Sequence, residues 1–228
     1  MPHRIGFALA CVLVAAIVPA ARPLADSEGY AHLVGALHNH SGYSDGPPRT
    51  TPGTYFANGK AAGLDFMGSS EHSDNADVPV TANEVCLSER APDCVATDAD
   101  SLRKWDATLE QADAASTANY TAFRGFEWTS DRFDHINVYL SANDTNAKID
   151  GGYAAMDTFW DWFTRSPGLG GGADGLGTFN HPGLKNLDDA DPTAQWNDFA
   201  YVPSADRRMV GIEVFNVDDE YGTTRGPG

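Results

Sequence analysis

Leu37-His38-Asn39-His40-Ser41-Gly42-Tyr43-Ser44-Asp45-Gly46 is the stretch on which the reading of this chain turns. A short apolar run, His32 to Leu37, leads into it as a strand would. In an extended strand residues i and i+2 point to the same side, so His38 and His40 can present two imidazoles to one ion. Asp45 follows in a Gly- and Ser-rich turn that can fold its carboxylate back. Three good donors so close together make a metal centre the leading expectation.

The same pattern recurs downstream. Leu64 to Gly68 reads as a strand entering Ser69-Ser70-Glu71-His72, and Tyr120 to Phe126 as one ending at Glu127. Leu176 to Phe179 leads into Asn180-His181-Pro182-Gly183, and Met209 to Phe215 reads as the last strand. Ile136 to Leu140 alternates just after His135, so that connection reads as a hairpin returning to the site. Singly, each residue has a plain alternative: His135 a hydrogen-bonded structural histidine, His181-Pro182 a turn, Glu127 a helix cap. Jointly, five of the seven histidines bordering strands are too many for coincidence. His32 lies in no cluster and reads as surface.

Helical stretches separate these strands. Pro52 to Ala62 can be a helix stopped by Gly63, with Tyr55 and Phe56 on its apolar side. Ser101 can cap a helix to about Ser116, with Leu102, Trp105, Leu109 and Ala112 at helical spacing. Tyr153 to Arg165 is amphipathic, and Met156, Phe159, Trp160 and Phe163 on one face read as core. The glycine-rich 168–177 loop does not follow a strand and takes no nucleotide role. Alternating strands and helices with polar clusters at the strand ends suggest a parallel α/β fold of barrel type, whose sites gather at the strands' carboxyl ends.

Met1-Pro2-His3-Arg4, the apolar run from Ile5 to Val18 and the small residues after it have the order of a secretory signal peptide. Residues 1–25 are assigned to it, with cleavage after Ala20 or Ala25, and 26–228 to one domain; an uncleaved anchor is the alternative. The expected location is secreted or periplasmic, with no membrane association after cleavage. A net charge of -17 argues against nucleic acid and anionic lipid as partners. Export implies an oxidising compartment, so Cys86 and Cys94, in the polar 75–100 excursion, read as a disulfide. Asn-x-Thr sequons at Asn119 and Asn143 carry little weight.

The candidate ligands are His38, His40, Asp45, His72, Glu127, His135 and His181. Nitrogen and oxygen donors without thiolate suit zinc, manganese or iron. Seven exceed the needs of one catalytic zinc, so two or three divalent ions are expected. Glu127 is the natural bridge, because a carboxylate offers two oxygens.

His38-x-His40-Ser41-x-x-Ser44-Asp45-Gly46 resembles the first motif of the PHP (polymerase and histidinol phosphatase) superfamily. Gly63 to His72 resembles its second motif, Phe123-Arg124-Gly125-Phe126-Glu127 with His135-Ile136-Asn137-Val138 its third, and Asn180-His181-Pro182-Gly183 its fourth. Gly211-Ile212-Glu213-Val214-Phe215-Asn216 looks like the strand after it. The apolar leader and the Glu71-His72 variant are most similar to the exported CehA/McbA branch. The resemblance implies a distorted (β/α)7 barrel with up to three metal ions and a metal-activated water as nucleophile. It implies a small-molecule ester substrate, most often a phosphoester. Glu127 and His72 are the catalytic candidates, Glu127 as bridge and a shell histidine as proton donor.

The chain departs from that pattern in carrying Ala36 in place of an acid, Glu71 in place of Asp, and no final Asp-x-His. Asp218, Asp219 and Glu220 are not followed by histidine. A barrel incomplete at its C-terminus is therefore expected, with an open edge beside the first strand and fewer ions than a longer relative would hold. The rival readings are carbamate or aryl ester hydrolysis and a non-catalytic metal-binding remnant.

Overall fold

The computed structural model describes residues 29–76, 103–152, 154–182, 196–216 and 219–220. The expected leader and the Cys86–Cys94 pair lie outside the described residues. The chain divides between His32 and Leu33 into two units, and every element below belongs to the second. In chain order these are β1 (Gly35–Ala36), α1 (Pro52–Ala61), β2 (Phe66–Gly68), β3 (Glu71–His72) and α2 (Ser73–Ala76). There follow α3 (Lys104–Ala115), β4 (Thr121–Phe123), β5 (Gly125–Ser130), β6 (Asp134–Tyr139) and α4 (Asp157–Thr164). The last are β7 (Leu176–Phe179), α5 (Trp196–Phe199), β8 (Met209–Ile212), β9 (Phe215–Asn216) and β10 (Asp219–Glu220).

Alternation in β5 and β6 sets the layering. They pair antiparallel, with Glu127 opposite Asn137 and Thr129 opposite His135. Phe126, Trp128, Ile136 and Val138 form one face and join Phe159 and Phe163 of α4 in the main core. Glu127, His135 and Asn137 project from the other face and are buried as well. An alternating strand usually turns its polar side to water. Here that side faces inward, which marks the interior as a site.

β1, β2 and β4 form a parallel sheet in the order β1-β2-β4. β3, β5, β6, β7 and β8 form the second, in that order, with β6 antiparallel to its neighbours and the other pairs parallel. The chain passes from β2 to β3 through Ser69-Ser70 and from β4 to β5 through Arg124. The fold is therefore mixed α/β with parallel pairing, as expected, but no closed seven-stranded barrel forms among the described residues. No backbone pairing joins β1 to β8. The segments after β1 and β8 approach through side chains, with His38 meeting Glu213 at 3.1 Å, and the Tyr139 hydroxyl of β6 donates to Leu37 O at 3.0 Å.

Local signals account for the helices. Pro52 opens α1, the Thr54 hydroxyl accepts the Thr51 N–H at 3.2 Å, and Gly63 follows its end at φ +86. Phe56 packs with Met67 and Ala112, which seats α1 on β2 and α3. α3 departs from the expected face. Trp105 and Ala112 are buried, yet Leu109 is 41% exposed, because Lys104 and Thr108 fill the buried stripe instead. Lys104 Nζ donates to Tyr43 O at 2.7 Å and thereby ties α3 to the first motif. The Asn143 amide donates to Pro167 O and Gly171 O at 3.0 and 2.9 Å, so it pins the glycine-rich loop. No described helix is long and apolar enough to cross a membrane.

Candidate metal centre

All seven expected ligands converge on one cluster centred on Glu127. His38 and His40 follow β1, His72 ends β3, His135 lies at the start of β6, and His181 follows β7. Because β6 runs antiparallel, its start lies level with the carboxyl ends of its neighbours, so the β5–β6 hairpin does return to the site. Glu127 is placed differently from expectation. It sits inside β5 rather than at a strand end, since the break at Arg124 splits the run into β4 and β5.

Glu127 is the hub, with its side chain 1% exposed. Its Oε1 lies 3.0 Å from His135 Nδ1, 3.3 Å from His38 Nε2 and 3.3 Å from His181 Nε2. Its Oε2 lies 2.7 Å from His72 Nδ1 and 3.7 Å from His40 Nε2. Asn180 Nδ2 donates to Oε1 at 2.8 Å and so orients the carboxylate. At the outer side, Asp45 reaches His40 Nδ1 at 2.9 Å and His72 Nε2 at 3.2 Å. His38 and His181 stand 5.6 Å apart between ring centroids.

The turn carrying Asp45 is braced from below. Glu71 Oε1 accepts the Ser41 N–H at 2.8 Å, and its Oε2 accepts the Ser44 hydroxyl. Gly46 folds against His40, where an added Cβ would lie 2.1 Å from the His40 carbonyl oxygen. Glu71, which in sequence stands beside a ligand, is thus a strut of the motif. Burial pushes its carboxyl up, against the pull of Ser41 and Ser44.

The donor set fits divalent ions. Four groups each bring three donor atoms within 4.8 Å of one another: His38-His40-Glu127, His40-Asp45-His72, His72-Glu127-His135 and Asp134-His135-His181. They overlap at His40, His72, Glu127 and His135, as ions sharing ligands require. Two observations fit a cation among these donors. His38 Nε2 and His40 Nε2 converge to 2.9 Å, and buried Glu127 Oε2 makes no hydrogen bond although His72 Nδ1 is close. That contact has the distance of an ion pair without the direction of a hydrogen bond.

The electrostatics agree. Burial opposes charge on Glu127, yet the surrounding imidazoles hold its carboxyl well below the ordinary range. Burial also opposes charge on His38, but Glu127 and Glu213 outweigh it and raise His38 to about 9. Burial dominates at His40 and lowers it to about 4. Without metal, His38 therefore tends to hold its proton near neutral pH and His40 to lack one, and an ion would compete with that proton for the same nitrogens.

A pH signature follows. The His38 contribution to stability is fully present below its unfolded value of 6.5 and is lost as pH rises through about 9. His40 acts in the opposite window: folding keeps it neutral, so stability falls as pH drops from 6.5 towards about 4. In metal-stripped protein, the gap in unfolding free energy between wild type and His38→Ala should shrink by about 3 kcal/mol between pH 6.5 and 9.5. Urea titrations at both pH values measure it, and a constant gap would contradict the assignment.

Sequence reasoning missed three members of the site. Asp134 Oδ1 lies 3.4 Å from His181 Nδ1 and accepts the His135 N–H at 2.9 Å. Asn180 holds Glu127, and Glu213 holds His38. Asp134 and Asn180 each adjoin a ligand histidine. Glu213 is a lone acid inside the apolar run Met209 to Phe215, and that interruption was the available signal.

No protein-family model matches the chain, and no curated protein matches it. Among solved structures, the chain is similar to a candidate metal-dependent phosphoesterase from Bifidobacterium adolescentis. The identity is 15% and the TM-score 0.39, over 80% of this chain and 77% of that one.

Proposed function

We propose that this chain is an exported metal-dependent hydrolase of the PHP type, acting on small phosphoesters. The observation that carries the reading is one buried carboxylate, Glu127, enclosed by five imidazoles in overlapping donor triples. His38, His40, Asp45, His72, Glu127, His135 and His181 would hold two or three divalent ions of zinc, manganese or iron. Such ions supply Lewis acidity towards a water and towards an ester oxygen.

The chain's own groups then have distinct tasks. Glu127, oriented by Asn180, would help hold the ions through its carboxylate. Asp45, 68% exposed, forms the rim that substrate meets first. His72 spans rim and hub, with Nε2 towards Asp45 and Nδ1 towards Glu127 and Thr129. That position suits it to carry a proton to the leaving group. Asp45, Glu127, Asp134 and Glu213 together carry four negative charges and would repel an anion if they acted alone; two divalent ions would cancel that charge and a third would reverse the field. A site built to gather that much positive charge favours an anionic ester over a neutral one.

The test is turnover of aryl phosphate mono- and diesters, aryl acetates and aryl carbamates by metal-reconstituted protein. Phosphoester hydrolysis lost on chelation and restored by metal is the expected result. Turnover of carboxyl or carbamate esters alone would replace the phosphoesterase reading, and metal binding without turnover of any ester would leave a binding protein.

A further inference from the structure

We propose that Glu213 is a positioning residue of the metal centre: it fixes which nitrogen of His38 faces the ions and holds the backbone at His181. The inference rests on the metal-centre reading above.

Glu213 lies one residue beyond β8 and belongs to none of the four donor triples. Its carboxylate oxygens lie 3.1 and 3.2 Å from His38 Nδ1. One of them also accepts the His181 N–H at 2.8 Å. Glu213 is itself anchored, since its backbone N–H donates to Phe179 O at 2.8 Å. One carboxylate therefore bridges a histidine after β1 and a histidine after β7, strands of two different sheets.

A neutral imidazole carries its proton on either nitrogen, and only the bare nitrogen can bind a metal. An anionic acceptor at Nδ1 keeps the proton there and leaves the Nε2 lone pair for the ion. Nε2 of His38 indeed points inward, 2.9 Å from His40 Nε2 and 3.3 Å from Glu127 Oε1. His181 has φ +29, a backbone conformation that costs energy in a residue with a side chain. The bond to Glu213 sits at that residue and holds it while His181 Nε2 reaches Glu127.

The experiment compares wild type, Glu213→Gln and Glu213→Ala, all metal-stripped. Cobalt affinity is measured by competition with a chromophoric chelator. The His38 tautomer is read from long-range 1H–15N spectra of the zinc-loaded proteins. Wild type should show the Nδ1–H tautomer. Glu213→Ala should show mixed tautomers and bind cobalt about 10–100-fold more weakly, at unchanged stoichiometry. Glu213→Gln keeps one acceptor oxygen and should fall between them, and it carries the test if the alanine variant does not fold. Wild-type affinity and a wild-type tautomer in the variants would overturn this inference alone. A wild type that binds no cobalt would overturn the metal centre and the inference together.

Discussion

Glu127→Gln should strip the centre of metal while leaving the chain folded. The amide keeps the shape of the carboxylate, but it carries no charge and only one of its ends can accept. His135, His181, His38 and His72 all lie within 3.3 Å of that carboxylate. Divalent-ion affinity should drop by more than about 100-fold, beyond the range typical of outer-shell changes. Metal-free Glu127→Gln should also lose about 3–5 kcal/mol, the usual cost of removing one partner from a buried charged group. The raised proton affinity of His38 should fall as well, since Glu127 is a leading cause of it. Chelator competition and urea unfolding on one preparation give both numbers. Tight binding retained by the variant would remove Glu127 from the centre.

Phe159→Ala should show the opposite pattern, a large loss of stability at unchanged metal stoichiometry. Phe159 is fully buried in α4, with ring centroids 4.9 Å from Trp128 and 5.3 Å from Phe163. Truncation leaves a cavity that the surrounding rings cannot close, at a cost of about 3–5 kcal/mol. Trp128 points away from the ligands, because neighbouring residues on β5 face opposite sides. The two faces of one strand pair thus carry separable tasks. A cost under about 1 kcal/mol, or metal lost from the folded variant, would contradict that division.

The convergence of these seven donors is legible because each is a strong donor beside a short apolar run, and the His38-Asn39-His40 spacing needs only strand geometry. Longer-range relations were less so. Glu213 meets its partner His38 across 175 positions, and no local pattern announces such a pair. In sequence Glu71 stands out only as a departure from the family pattern, yet its side chain reaches the Ser41–Ser44 turn and braces it. The apolar run stops at Glu127, so the sequence predicts a strand end there. The strand continues through Trp128 to Ser130, since both faces of β5 are buried. Helical spacing aligns Leu109 with Trp105 and Ala112, whereas Lys104 takes the buried stripe and bonds to Tyr43 O. Barrel closure depends on strand pairing between chain ends, which hydrophobic periodicity does not encode.

The most direct test of the metal centre is the stoichiometry of divalent ions bound per chain. Purified protein is loaded with zinc or manganese, passed through gel filtration to remove free metal, and assayed by elemental analysis. The account predicts two or three ions per wild-type chain, since the donor triples overlap but do not coincide. Less than one ion per chain, at a micromolar concentration of folded protein, would contradict it.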